Sequence, residues 1–470
     1  MAAVYASGGV KYAVQAGGHS GGEGWNTVGG DGVLISFTHM KAVSYNSTKD
    51  TVTLQPGVRW GEVLAQLEPF GVAAMGGRLG HVGTGLLLGG GLSYLSAAHG
   101  FSVDALVEAD VVLVSGLKVT ATRTNQYSDL FRALKGGANR FGIVTRYEVK
   151  AIHVGTNADK RFWGGVLVFD NSTSAGLMQA TQNFINTVDD PNTSLMVVFG
   201  AQFLDGHVYP VNMVTFFYNG PPSTGASIFA DFLALPRLTS TSTSTSTSTS
   251  TSTSATSSFD LYDTISNHSY IEATSLLGDG SERGLNQYFG ASAFGSAAYD
   301  AAQGVSVRGN APRYERALAG WHAFVDAVKG RGDDSGGVDS KSKKGRGGSA
   351  VAQAVLAFTP VLRSQVRRGR EAGGNAIDAP LANYHLLQFH VTAAAGAGSS
   401  MHEWEAVEAA RQRFLQRIPP SPGIPLYVNE CDAAQDVFST YGGYEFLQAT
   451  YAKYDPTRFN MRFTAGPMGL

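Results

Sequence analysis

Glycine is unevenly placed in this chain, and its placement constrains the fold more than any other feature. The 470 residues include 59 glycines, concentrated near residues 17–32, 76–91 and 136–142, well above the usual share of ~7%. Disordered glycine would be scattered, so the clusters read as local devices. Three segments stand out: Gly17-Gly18-His19-Ser20, Val82 to Gly91, and Gly136 to Thr145. Glycine has no Cβ and accepts positive φ, so such segments bring backbone N–H groups close to another backbone or to a bound anion. The spacing of Gly83, Gly85 and Gly89 is not G-x-G-x-x-G, and no Gly-Lys-Ser/Thr follows Gly89-Gly90-Gly91. A dinucleotide fingerprint of the Rossmann type and a P-loop are both excluded.

Periodicity places the motifs. Val33 to Phe37 reads as a buried strand, and Thr51 to Gln55 as a strand entering a turn at Pro56-Gly57. Trp60, Val63, Leu64 and Leu67 fall on one face of a short helix. Asp110–Val114 and Lys118–Thr122 flank Ser115-Gly116 as a hairpin. Ser128 caps a helix through Leu134, and the run from Ile143 to Lys150 alternates as a half-buried strand. Further on, Leu177, Thr181, Phe184 and Val188 suit a helix, and Leu195–Phe199, Met213–Tyr218 and Val355–Phe358 suit strands. Trp404, Val407, Phe414 and Ile418 again share a helical face. The fold class is therefore α+β, with a sheet covered by helices in the second part. Two stretches interrupt it as disordered inserts, the Thr-Ser repeat within 239–258 and the Gly-, Lys- and Asp-rich 330–349. The basic residues Lys341, Lys343, Lys344 and Arg346 read as part of a solvated loop.

Taken together, the three glycine segments and the tail resemble the FAD-linked oxidases of the vanillyl-alcohol oxidase and berberine-bridge-enzyme type. In the tail the resemblance rests on Tyr427-Val428-Asn429, Tyr441-Gly442 and Tyr454-Asp455-Pro456. It implies a PCMH-type FAD-binding domain over 1–155, a substrate domain over 156–418, and a berberine-bridge-type segment over 419–470 that returns to the flavin. It implies FAD held by Gly17, Gly18, His19, Ser20, Val82, Gly83, Gly85, Gly142, Ile143, Val144 and Asn429, with His19 bonded covalently to the flavin. The second, cysteinyl link of some members falls near Leu79, where there is no thiol, so attachment is expected through histidine only. The segment Val82 to Gly91 is one residue shorter than the family's Val-Gly-x-Gly-Gly form. The family's domain also opens with a further β-α-β unit of which residues 1–16 hold only the end. An incomplete coding sequence or a damaged product is expected, with a sheet edge and an apolar face left open.

Flavin-dependent oxidation of a C–H bond needs a proton acceptor. The resemblance puts Tyr427 in that role, with a packed aromatic of satisfied hydroxyl as the other reading. Gln388 and His390 alternate onto one strand face as candidates to meet substrate, with His385 opposite. His81 has no assigned role. No histidine pair has metal-ligand spacing on a helix, so no metal is expected.

The implied function is an FAD-dependent oxidoreductase acting on a small molecule, an alcohol, sugar or secondary metabolite. The acceptor is dioxygen or another oxidant, and the alternatives are a dehydrogenase or a flavin-poor inactive remnant. A net charge of −2 offers no field for nucleic acid, and no apolar run is long enough for a membrane helix. The lone Cys431 cannot form an intrachain disulfide. A monomer is expected. The resemblance implies secretion, in keeping with sequons at Asn46, Asn171, Asn192 and Asn267, although no signal peptide is visible.

Overall fold

The computed structural model describes residues 1–22, 24–238, 263–278, 286–305, 307–329, 349–394 and 401–470. The Thr-Ser tract, and all of the basic insert except Ser349, lie outside the described residues.

The first part of the chain is built on two small sheets. Strands β1 (Tyr12–Gln15) and β2 (Val33–Ser36) pair in parallel. The other six are β3 (Val43–Asn46), β4 (Thr51–Leu54), β5 (Val72–Ala74), β6 (Leu106–Val112), β7 (Lys118–Thr122) and β8 (Ile143–His153). They run antiparallel in the order β3-β4-β8-β6-β7, with β5 added along β8. The helix Trp60–Leu67 buries Trp60, Val63, Leu64 and Leu67, the four positions its period selects. Each such side chain contributes roughly 1.5–3 kcal/mol by leaving water.

The second part is one seven-stranded antiparallel sheet. Its strands are β9 (Phe162–Phe169), β10 (Thr193–Leu204), β11 (His207–Asn219), β12 (Ser266–His268), β13 (Gln287–Gly295), β14 (Val351–Val361) and β15 (Tyr384–Ala393), in the order β12-β9-β11-β10-β14-β15-β13. Helices Ser174–Thr187, Val307–Val328 and Met401–Arg417 cover one face. There Leu177, Phe184, Phe324 and Phe414 share a core with Leu387 and Phe389. The opposite face, through Ala291, Ala293 and Leu386, joins the core of the first part. On β15 the alternation thus sends His385 under the helices, where its Nδ1 meets the Tyr314 hydroxyl at 2.8 Å. Gln388 and His390 fall on the other face.

Three local expectations are corrected. Residues 33–36 do form a strand, but it is not buried: Val33 and Leu34 are 39% and 46% exposed, and only the following Phe37 is covered. Strand β2 pairs with β1 alone, and of its four residues only Ile35 packs against a buried cluster, that of Tyr12, Val114 and Phe459. Ser128 is the first residue of its helix rather than the cap. The turn before it is held by Asn125 Oδ1, which accepts from the N–H of Tyr127 and of Thr122. Strand β8 is covered on both faces over its middle. Glu148 is buried there because it accepts from Arg146 and from Thr51.

Candidate functional site

The three glycine segments meet at one cleft between the first part of the chain and its C-terminal tail. Its cavity volume is about 210 Å³, and it is partly open to solvent. Gly17, Gly18, His19 and Ser20, which follow β1, form one wall. Val82, Gly83 and Gly85 form the floor, and Gly142, Ile143 and Val144, which open β8, form the second wall. Val428, Asn429, Asn460 and Thr464 arrive from the far end of the chain to close it. Every residue that the resemblance assigned to the cofactor lines this cleft.

Backbone packing explains why glycine recurs. A Cβ on Gly17 would lie 2.7 Å from the N and Cα of Gly83, so the first two segments lie back to back. Arg59 fastens them, donating from Nη2 to the Gly17 carbonyl at 3.2 Å while its backbone bridges to Gly83. Gly142 has φ +127°, and a Cβ there would meet Val111 at 2.7 Å. Only glycine allows β8 to start this close to β6.

The chemistry of the lining suits a ligand that is part polar, part flat and apolar. His19 Nε2, Asn139 Oδ1 and Thr464 Oγ1 are buried at the cleft without a hydrogen-bond partner, a state that calls for an outside partner. Val14, Phe37, Leu86 and Ile143 supply apolar wall. The His19 ring lies 4.4 Å from that of His81. Burial first and His81 second lower its pKa to about 4, so the imidazole is neutral at ordinary pH. His390 stacks on Phe289 at 4.6 Å. Burial, then His19, lowers His390 to about 4 as well.

Tyr427 lies outside the cleft lining. It is 3% exposed in the main core, behind Asn429. Its hydroxyl accepts from Asn429 Nδ2 at 2.9 Å, and the same amide donates to the Leu86 carbonyl at 2.9 Å. Burial, followed by the Glu430 carboxylate, pushes the phenol well above its ordinary range. The structure therefore gives Tyr427 the surroundings of a packed, hydrogen-bonded aromatic. Asn429 itself presses on Gly89, where a Cβ would come within 2.1 Å of its Oδ1.

Sequence reasoning passed over Asn139, Asn460 and Thr464, and also Arg78 and Glu430 near Tyr427. The contact of Arg78 with Glu430 joins residues distant in the chain and leaves no local signal. Among the described residues no group of three or more His, Cys, Asp or Glu could hold a metal ion, and no helix is long and apolar enough to cross a membrane.

A mixed fold of this kind around a cleft of this lining fits the class of flavin-binding oxidoreductases. Residues 2–122 match the family described as FAD binding domain. An uncharacterized FAD-linked oxidoreductase of Arthroderma benhamiae is 28% identical over 483 residues, covering 99% of this chain and 83% of that one. An FAD-dependent monooxygenase of Arthrobotrys oligospora is 36% identical over 229 residues, covering 48% of this chain and only 42% of its own length. Among solved structures, 6-hydroxy-D-nicotine oxidase of Arthrobacter nicotinovorans superposes with a TM-score of 0.68 at 18% identity, covering 99% of this chain and 88% of that one. Berberine bridge enzyme shares the same fold. Residues 2–122 thus carry the features of an FAD binding domain, the chain is similar to FAD-linked oxidoreductases along nearly all of its length, and it is an enzyme.

Proposed function

We propose that the protein is an FAD-dependent oxidase, tethered to its flavin through His19. It takes hydride from a C–H bond of an alcohol, a sugar or a secondary metabolite and delivers the electrons to dioxygen. One observation carries this reading: His19 Nε2 sits in the glycine-lined cleft, buried, neutral and without a partner. A neutral ring nitrogen with a free lone pair is the form that bonds to carbon.

When bound, FAD supplies the hydride acceptor. The chain supplies the rest. Backbone N–H groups of residues 17–20 and 83–85 suit a pyrophosphate. The start of β8 lays flat backbone along one wall, and Asn429, fixed by Leu86 and Tyr427, closes the other. For the substrate proton, His390 is the better acceptor: it too stands outside the cleft lining, but it lies near enough to His19 to feel its charge, and its imidazole is neutral above about 4. Gln388 shares its face of β15. Tyr427 holds its proton and orients Asn429.

We also read the chain as a secreted monomer. All four sequon asparagines, Asn46, Asn171, Asn192 and Asn267, are exposed.

The test is an absorption spectrum of the purified protein before and after acid precipitation. Flavin absorption that stays with the pellet, and is released by His19→Ala, supports the tether. Flavin left in the supernatant removes it, and a colourless protein removes the whole reading. With a panel of alcohols and oligosaccharides, peroxide released one for one with product marks an oxidase. Product without peroxide marks the dehydrogenase alternative.

A further inference from the structure

One buried ionic contact has no part in the cleft as described. Arg78 stands in the glycine-rich loop before Val82, and Glu430 ends the turn that carries Tyr427 and Asn429. Arg78 Nη2 lies 3.8 Å from Glu430 Oε1, and both side chains are only 12% exposed. Arg78 Nη1 also donates to Thr359 Oγ1 on β14 at 2.9 Å. The pair thus joins the floor of the cleft, its closing wall and the seven-stranded sheet. At 3.8 Å it has Coulomb attraction but no hydrogen bond, so the ionised carboxylate is poorly compensated.

We propose that Arg78 and Glu430 are a positioning pair that draws the Tyr427–Asn429 turn onto the glycine loop when Glu430 is ionised and lets it ease away when Glu430 is protonated. This deepens the flavin reading above and rests on it. Transmission is short. The Glu430 N–H donates to the Tyr427 carbonyl at 3.0 Å. Asn429, one residue before Glu430, lines the cleft, grips the Leu86 carbonyl and presses on Gly89. Moving the Glu430 carboxylate therefore moves a cleft wall.

The titration falls in a useful range. Burial raises Glu430 to about 7, and Arg78 opposes that rise only in part. The groups around it do not titrate with it. From the glycine loop the Arg78 guanidinium faces it. From its own turn, burial holds the Tyr427 phenol and the Cys431 thiol protonated. Tyr94, which faces Arg78, and Tyr441, which packs behind Tyr427, are likewise pushed up by burial. Asp432 pairs with Arg411.

The experiment is visible-region circular dichroism of the flavin in the purified holoprotein, titrated from acid to alkaline pH. The wild type is expected to show one transition near 7, and Glu430→Gln none. Arg78→Met is expected to move the midpoint upward by about one unit or more, since an opposite charge is worth roughly 1–3 units. Arg78→Lys, which keeps the charge, should bring it most of the way back, and it tests the pair even if Arg78→Met fails to fold. A yellow wild type with pH-independent dichroism, or a transition that survives Glu430→Gln, overturns the pair and leaves the flavin reading standing. A colourless wild type overturns both.

Discussion

Gly17 and Gly83 leave each other no room for a side chain. A Cβ on Gly83 would lie 2.4 Å from the Gly17 nitrogen, and one on Gly17 would lie 2.7 Å from Gly83. The atoms in the way are backbone on both sides, so no rotamer change relieves the clash. Gly17→Ala or Gly83→Ala should cost about 1–3 kcal/mol or more and lower the flavin-to-protein ratio. Gly85 is the control, since a Cβ there meets nothing within 4 Å. Gly85→Ala should melt like the wild type, as checked by thermal unfolding.

A second buried pair ties the two parts together away from the cleft. Lys135 Nζ lies 3.3 Å from Asp104 Oδ1, with the two side chains 1% and 0% exposed. Asp104 also accepts from the Phe101 N–H and from Asn375 Nδ2, which belongs to the connection between β14 and β15. Lys135→Met strands a carboxylate in the core and should cost about 3–5 kcal/mol in urea unfolding. Adding Asp104→Asn should recover part of that loss, because the stranded charge goes with it.

Arg140 holds the end of the chain against the cleft. Its Nε donates to the Pro467 carbonyl at 3.0 Å, and its Nη1 to Asn460 Oδ1 and the Thr464 carbonyl at 3.1 and 3.0 Å. Arg140→Ala should cost about 2–3 kcal/mol, the scale of a hydrogen bond to a charged group or somewhat more. Since Asn460 and Thr464 line the cleft, flavin should dissociate faster from this variant wherever it is not covalently held. Flavin fluorescence released over time reads this directly.

Acid should destabilise the fold through its buried histidines. Burial lowers His385 to about 3 and His390 to about 4, against an ordinary value of 6.5. A depressed pKa means the unfolded chain takes up a proton that the folded chain refuses. The stabilisation is complete above 6.5 and is lost as pH falls toward 4 and then 3. Each group contributes a slope of at most ~1.4 kcal/mol per pH unit in that window. Urea unfolding at pH 7 and pH 4.5 should differ by a few kcal/mol, and His385→Gln should reduce the difference.

Mutating the two candidate proton acceptors separates them. Tyr427→Phe keeps the packing and leaves Asn429 its bond to Leu86. It should cost about 1 kcal/mol of stability and change the oxidation rate little. His390→Gln should slow the oxidation by about 100-fold or more, the usual scale of a lost general base. Rapid-mixing measurement of flavin reduction, with whichever panel substrate reacts, decides between them.

Much of this is legible in the sequence. The helix at Trp60–Leu67 announces itself because burial on one side is a local periodic demand. The glycine segments are legible as a set, because close backbone approach has only one residue that serves it. The exposure of β2 was not legible, since an apolar run does not say how many layers will cover it. Nor was the direction of the Tyr427 ring, which depends on Asn429 reaching Gly89, a contact across more than three hundred residues. The Arg78–Glu430 contact is hidden for the same reason.

The cleft wall formed by Asn429, Asn460 and Thr464 has a consequence for how the protein is made. Some 440 residues separate His19 from Asn460, and at ribosomal speeds of roughly 5–20 residues per second the first wall waits tens of seconds for the last. During that interval the nascent chain presents an open, glycine-loose trough with apolar sides. A complete cleft therefore waits for Asn429, Asn460 and Thr464 to emerge, and until they do the first wall stands open on the side they close.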